Sequence, residues 1–144
     1  MLVSQILKSK GSEGVETVPS GTTVSKAAEI LGQKRIGALI ISDDGKTLNG
    51  IVSERDIVRE IGRRGADCLN ETVKSIMTAK VVTCTKSDMT DDVLRKMTDG
   101  RFRHIPVVDG RLLVGLISIG DVVKARLSEL AMEKDALENM IKGF

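Results

Sequence analysis

Two stretches of this chain combine residue types that can hold a polar ligand. One is Gly50-Ile51-Val52-Ser53-Glu54-Arg55-Asp56-Ile57-Val58, and the other is Gly115-Leu116-Ile117-Ser118-Ile119-Gly120-Asp121-Val122-Val123. Each reads as the end of a strand, a serine at the turn, and an aspartate three residues on at the start of a helix. Such a turn presents unpaired backbone N–H groups and the positive end of a helix dipole, which suit a phosphate or another polar group. An aspartate there offers two acceptor oxygens to the paired hydroxyls of a ribose, and the serine hydroxyl can donate to a sugar or phosphate oxygen. Arg55 adds a counter-charge for phosphate beside the first pair. The same S-x-x-D spacing is also a capping box, in which both side chains only satisfy helix N–H groups.

A second polar cluster is Arg101-Phe102-Arg103-His104-Ile105-Pro106, which puts three candidate cations ahead of an apolar strand. It reads equally as a solvated strand start. Arg103 and His104 are adjacent, so on an extended chain they face opposite ways. The chain has one histidine, and it shows no catalytic triad, metal-ligand cluster, GxxxxGK or GxGxxG motif. A carboxylate beside a hydroxyl, with no base or nucleophile, is a binding feature and not an active site.

The elements that must position these groups repeat. Thr17, Val24, Ala28, Leu31 and Asp43 recur in type or pattern as Thr83, Thr90, Leu94, Met97 and Asp109, each 66 residues later. The second hairpin, Asp109-Gly110-Arg111, is one residue shorter than Asp43-Asp44-Gly45-Lys46, so Gly115 follows Gly50 by 65. Each repeat reads as a β-α-β-β-α unit of about 60 residues. A unit of that size is small for an independent core, so the two are expected to pack on each other. In the first, Leu2, Val3, Ile6 and Leu7 mark one face of a leading helix, broken at Gly11–Gly14. Val15–Pro19 is a short strand. Thr22 or Thr23 caps a helix that buries Val24, Ala27, Ala28 and Leu31. Ile36–Ile41 is a strand covered on both faces, Leu48–Val52 is its return, and Ser53–Gly62 is a helix with Ile57, Val58 and Ile61 inward. Asn70–Met77 is the leading helix of the second repeat, with Ile76-Met77-Thr78 matching Ile6-Leu7-Lys8. The domain boundaries expected are 1–66, 67–127 and a helical extension over 128–144. Asp121–Ile141 reads as one long helix running into that extension, on which Leu127, Leu130, Lys134, Leu137 and Ile141 have the 3-4 spacing of a self-association seam, or of a helix lying on its own domain.

Composition bounds the partners. Of 144 residues, 41% are apolar but only two are Phe and none Trp or Tyr, so the core must be aliphatic. A net charge of +2 with 29% charged residues describes an ordinary surface. Arg59, Arg63, Arg64, Arg101 and Arg103 could form a nucleic-acid patch, but the modest charge and missing aromatics argue against base stacking. No apolar run approaches the roughly 20 residues of a membrane span, and the N-terminus lacks a signal peptide's pattern. Cys68 and Cys84 have no CxxC spacing and read as free, semi-buried thiols. The cytoplasm is the expected location.

The doubled unit resembles a tandem pair of CBS domains, a regulatory module that often binds adenosine nucleotides. The resemblance rests on the two turns in order, with Phe102-Arg103-His104-Ile105-Pro106-Val107-Val108-Asp109 and Ser75-Ile76-Met77-Thr78 in support, over about residues 1–127. It implies an α/β fold of two repeats packed with pseudo-two-fold symmetry and two clefts, each taking its Ser and Asp from one repeat and a strand start from the other. Cleft one would join Ser53, Arg55 and Asp56 to Thr78, Val81, Thr83, Arg103, His104 and Pro106. Cleft two would join Ser118 and Asp121 to Lys8, Val15, Thr17, Gly37 and Ala38. Asp would hold ribose, apolar strand ends would sandwich adenine, and Thr would meet the base or sugar edge. Cleft two has Gly120 in place of Arg55 and Gly37-Ala38 in place of Arg103-His104, so phosphates are expected in cleft one.

The function this implies is an adenine-nucleotide sensor binding AMP, ADP or ATP, with NAD(H) as a further ligand. It has no catalytic cofactor or metal, is a homodimer, and signals to a regulated protein whose identity the residues do not give. The alternatives are a dimerisation module in which the Ser–Asp pairs only cap helices, and a nucleic-acid-binding module.

Overall fold

The computed structural model describes residues 1–11 and 15–143. In chain order the elements are α1 (Val3–Lys10), β1 (Thr17–Val18), α2 (Val24–Lys34), β2 (Ala38–Ile41), β3 (Gly50–Ser53), α3 (Glu54–Arg64), α4 (Thr90–Gly100), β4 (His104–Asp109), β5 (Leu112–Ser118) and α5 (Ile119–Ile141). The described residues fall into two compact units. The repeat-one unit draws on Gly14–Val82 and Val108–Val114, and the repeat-two unit on Met1–Glu13, Thr83–Val107 and Gly115–Phe144. These units do not follow the sequence boundary near residue 66. The leading segment of each repeat is built into the unit that carries the other repeat's sheet and helices.

Paired hydrogen bonds show why. Val24 and Thr90 are the first residues of α2 and α4, where helix N–H groups have no partner within the helix. Val24 N donates to Glu71 O at 2.8 Å, and Val73 N returns a bond to Thr22 O at 2.7 Å. In the other unit Thr90 N donates to Met1 O at 3.0 Å, and Val3 N to Asp88 O at 2.9 Å. The bridges Thr23–Thr72 and Leu2–Met89 complete the correspondence.

In the repeat-one unit β1, β2 and β3 form one sheet, β1–β2 parallel and β2–β3 antiparallel, with Val18 opposite Ile41 and Ala38 opposite Ser53. β2 is buried along its length, as an uninterrupted apolar run requires. Its core gathers Val18, Val24, Ala27, Leu31, Leu39, Ile41, Val52, Ile57 and Val73. β4 and β5 pair with each other, and the buried set of the repeat-two unit is Val3, Ile6, Cys84, Val93, Met97, Ile105, Val107, Ile117, Val122 and Ala125. Helices α2 and α4 both end on an arginine in the left-handed region, Arg35 at φ 53° and Arg101 at φ 56°. In both, the next N–H closes back onto the helix, Ile36 N to Leu31 O and Phe102 N to Met97 O.

Several sequence expectations need correction. Asn70–Met77 is not an α-helix: Asn70 ends one 3-10 turn, Ala66–Asn70, Glu71 and Thr72 are extended, and Val73–Ser75 is a second 3-10 turn. The exchanged bonds at Glu71 and Val73 hold Glu71 and Thr72 extended, which interrupts the helix. The first strand of the second repeat shrinks to one bridge, Cys84–Val107, in register with Val18–Ile41 of the first. On α3, Ile57 is buried, but Ile61 and Val58 are exposed, Val58 at 68%. Part of the expected break at Gly11–Gly14 falls on residues 12–14, outside the described set. Gly11 itself, at φ 88°, closes α1.

Two glycines give opposite expectations. A Cβ on Gly50 would stand 2.9 Å from the Thr78 backbone oxygen and 2.6 Å from Met77 Sδ. Gly50→Ala should therefore destabilise by about 1–3 kcal/mol, the usual cost of overpacking. Gly62, inside α3 with open space around its Cβ position, should gain about 0.5–1 kcal/mol on replacement by Ala. Urea midpoints of the two variants check the pair.

Candidate functional site

Both Ser–Asp turns are helix N-termini. Ser53 caps α3 and Ser118 caps α5, each serine in extended backbone with a complete capping box. At the first turn Asp56 N donates to Ser53 Oγ at 3.3 Å, while Asp56 Oδ2 accepts from Ser53 N at 2.8 Å and Ser53 Oγ at 3.0 Å. At the second, Asp121 N donates to Ser118 Oγ at 3.1 Å and Asp121 Oδ2 accepts from Ser118 N at 2.9 Å. The capping geometry is therefore real at both turns. It does not exhaust the carboxylates, because two oxygens offer roughly four acceptor positions and the box consumes them mainly on Oδ2.

What occupies the remaining positions differs. Asp56 Oδ1 accepts from Arg59 Nη2 at 2.8 Å, an i,i+3 pair in which the arginine is 66% exposed. Such a pair contributes only about 0.2–0.5 kcal/mol, so an incoming donor can displace it. Asp121 Oδ2 accepts from Lys10 Nζ at 2.8 Å, and the same ammonium donates to Leu116 O at 2.8 Å. Burial pushes the Asp121 carboxyl up, but the bonds from Lys10 and Ser118 outweigh it and hold the group below its ordinary range.

The surroundings of each turn are set by its own unit. Beside the first, Ile51 and Thr78 exchange both backbone bonds, Ile51 N to Thr78 O at 3.0 Å and Thr78 N to Ile51 O at 2.9 Å. Gly50 permits this approach because a side chain there would strike the Thr78 segment. The strand start Gly37-Ala38 also abuts this turn, since Glu54 N donates to Gly37 O at 3.0 Å and Ala38 pairs with Ser53. The equivalent bond at the second turn is Ile119 N to Arg103 O at 2.8 Å. Hydrogen bonds thus bring each strand start to the turn of its own repeat. Ser53, Arg55, Asp56, Thr78, Val81, Val15, Thr17, Gly37 and Ala38 lie in the repeat-one unit. Ser118, Asp121, Lys8, Thr83, Arg103, His104 and Pro106 lie in the repeat-two unit. The groupings expected from the resemblance, Ser53 with Arg103 and Ser118 with Gly37, therefore draw on different units.

Arg55 and Arg103 are exposed, His104 and Thr83 are partly buried, and Pro106 is buried. Lys8, the expected cation of the second site, is exposed. The lysine at Asp121 is Lys10, which sequence reasoning missed. Its signal was the offset that matches Leu7 to Met77, which also matches Lys10 to Lys80. Cys68 and Cys84 are free and buried. Burial first, and then Asp88, push the Cys84 thiol up to about 11, so it stays protonated and unreactive at neutral pH.

The CBS domain profile matches residues 3–63 and 73–128. The chain belongs to the CBS domain family. Among curated relatives, this CBS protein is 34% identical to the mitochondrial CBS domain-containing protein CBSX3 of Arabidopsis thaliana, over 98% of the chain and 72% of the relative. Other Arabidopsis relatives are longer, and the chain spans about a quarter of their length, 23% in one and 24% in another. A solved CBS-domain protein of Agrobacterium tumefaciens is 42% identical, with a TM-score of 0.82 over 88% of this chain and 99% of the other. A CBS domain protein of Pyrobaculum aerophilum, solved in complex with AMP, is 29% identical with a TM-score of 0.76, over 92% of this chain and 99% of the other. The α/β fold of two CBS repeats with a long C-terminal helix, expected from the sequence, is the fold observed.

The depressed Asp121 carboxyl carries a pH consequence. A group whose folded pKa lies below its unfolded value, about 3.9 for Asp, contributes stability above that value and loses it as pH falls. The stability difference between the wild type and Asp121→Asn should therefore hold from pH 7 to about 5 and shrink below about pH 4. Urea midpoints across that range check it, and an unchanged difference at about pH 3 contradicts it. Ser53→Ala and Ser118→Ala should each cost about 1 kcal/mol through the lost cap.

Proposed function

We propose that this CBS protein is a regulatory module for an adenosine nucleotide, AMP, ADP or ATP, with NAD(H) as a further ligand. Each Ser–Asp turn supplies half of a ribose- and phosphate-binding site. The observation that carries the reading is that both aspartates complete a capping box and keep acceptor positions beyond it. The AMP complex of the Pyrobaculum relative supports the ligand class. In this reading Asp56 and Asp121 accept ribose hydroxyls, and Ser53 and Ser118 keep the carboxylates aimed. Arg55 meets phosphate at the first turn, and Arg103 and His104 supply cations where β4 begins. Thr78, Val81, Thr83 and Pro106, like Lys8, Val15, Thr17, Gly37 and Ala38, remain candidates for the base and sugar edges. Binding would act by population shift, stabilising the conformer a regulated protein reads. No catalytic step is assigned, because the turns offer no nucleophile with an adjacent base. The two free thiols fit a reducing compartment, and the cytoplasm is the proposed location.

A second copy of the chain is the proposed partner of α5. Val123, Leu127, Leu130, Leu137 and Ile141 lie along one side of this helix and all are exposed, Ile141 at 86%. Water-facing leucines at heptad spacing are what a helix–helix seam covers. Leu130→Glu with Leu137→Glu should leave the protein monomeric in sedimentation velocity if the wild type is a dimer held by α5, and an unchanged dimer sinks that role for the helix.

The nucleotide reading is tested by calorimetric titration of AMP and ATP into the wild type, Asp56→Ala and Asp121→Ala. Asp56→Ala should lose the tighter binding event, and Asp121→Ala should affect only a weaker one. The absence of heat from the wild type would leave the turns as caps in a dimerisation module.

A further inference from the structure

The two turns differ in one bond that follows from how each leading segment folds. In the repeat-one unit the Ile51 carbonyl is satisfied by the backbone N–H of Thr78, which pairs with it in a single antiparallel bridge. The repeat offsets carry Ile51 to Leu116 and Thr78 to Lys8. Lys8, however, lies inside α1, which continues to Lys10, so its N–H belongs to a helix ladder and cannot serve Leu116. The Leu116 carbonyl is met instead by the Lys10 ammonium at 2.8 Å. An ammonium has three donors, and a second one reaches Asp121 Oδ2 at 2.8 Å. A side chain that repairs an unpaired strand carbonyl is thereby placed on the candidate ribose acceptor.

We infer that Lys10 is a built-in occupant of the second half-site, a specificity-determining residue that weakens Asp121 as a nucleoside acceptor by holding Oδ2. The inference rests on the reading of Asp121 as a ribose acceptor. Two features separate this contact from an incidental surface pair. It is doubly anchored, to a main-chain carbonyl and to the carboxylate, whereas Asp56 is touched by a mostly exposed arginine of its own helix. It is also reachable, since the Lys10 and Asp121 side chains are 42% and 24% exposed. A ribose diol approaching Asp121 meets a carboxylate already neutralised and bonded on one oxygen, so its hydroxyls gain less than they would from an unpaired anion. The first half-site fills first, and it does so because of Lys10 as well as Arg55.

The test is calorimetric titration of adenosine, which carries the diol but no phosphate, into the wild type, Lys10→Met, Lys10→Gln and Lys10→Met/Asp121→Ala. Both single variants keep much of the lysine stem, and circular dichroism verifies their folding. Each should tighten the weaker adenosine event by about two- to tenfold, the range for freeing a paired surface carboxylate. Asp121→Ala in the Lys10→Met background should remove that event, and the tighter one should not move. Unchanged or weaker adenosine binding by both single variants, with the wild type still binding, overturns the Lys10 inference alone. Weaker AMP binding with unchanged adenosine binding also overturns it, by making Lys10 a phosphate partner. If no protein in the series binds adenosine, the ribose reading fails and the inference fails with it.

Discussion

The structure depends on the first N–H groups of α2 and α4 being satisfied from outside their own repeat. A β-α-β-β-α repeat of about 60 residues is marginal as an independent core, and its first long helix begins with unpaired donors. The chain meets both needs with one exchange, in which Glu71 and Met1 accept from Val24 and Thr90, and Val73 and Val3 donate in return to Thr22 and Asp88. Each such bond contributes about 1 kcal/mol net. The larger effect is geometric, because the exchange fixes where the leading segments run. Thr78 is thereby brought beside Ile51, and Lys10 beside Leu116 and Asp121.

In the proposed reading, that placement gives the aspartates two tasks. The capping box orients each carboxylate through Oδ2 and makes it rigid without consuming it. A free surface aspartate would have to be ordered by the ligand, at an entropic cost. Here the helix start has already ordered it. The structural role and the proposed binding role are therefore compatible, since a capped carboxylate is already oriented as an acceptor.

The sequence made the repeat legible because glycines, apolar runs and the Ser–Asp spacing leave local signatures. The 66-residue offset predicted from Thr17 and Thr83 reappears in the strand register, Val18–Ile41 against Cys84–Val107, and in the paired arginine caps Arg35 and Arg101. What was not legible depends on contacts distant in sequence. Residues 70–77 have a helical pattern, but bonds to Thr22 and Val24 hold Glu71 and Thr72 extended. Val58 has the spacing of an inward residue yet faces water on a helix with one fully buried position. Lys8 was the nearer cation by motif, but the helical phase of α1 presents Lys10. None of these is set within a ten-residue window.

The central claim is that the carboxylates left by the two caps read a ribose diol. The most direct measurement is the affinity of the wild type for AMP against 2′,3′-dideoxy-AMP by calorimetry. Hydrogen bonds to a charged acceptor are worth about 1.5–3 kcal/mol, so removing both hydroxyls should weaken binding by at least about tenfold. Equal affinity for the two nucleotides would contradict the account.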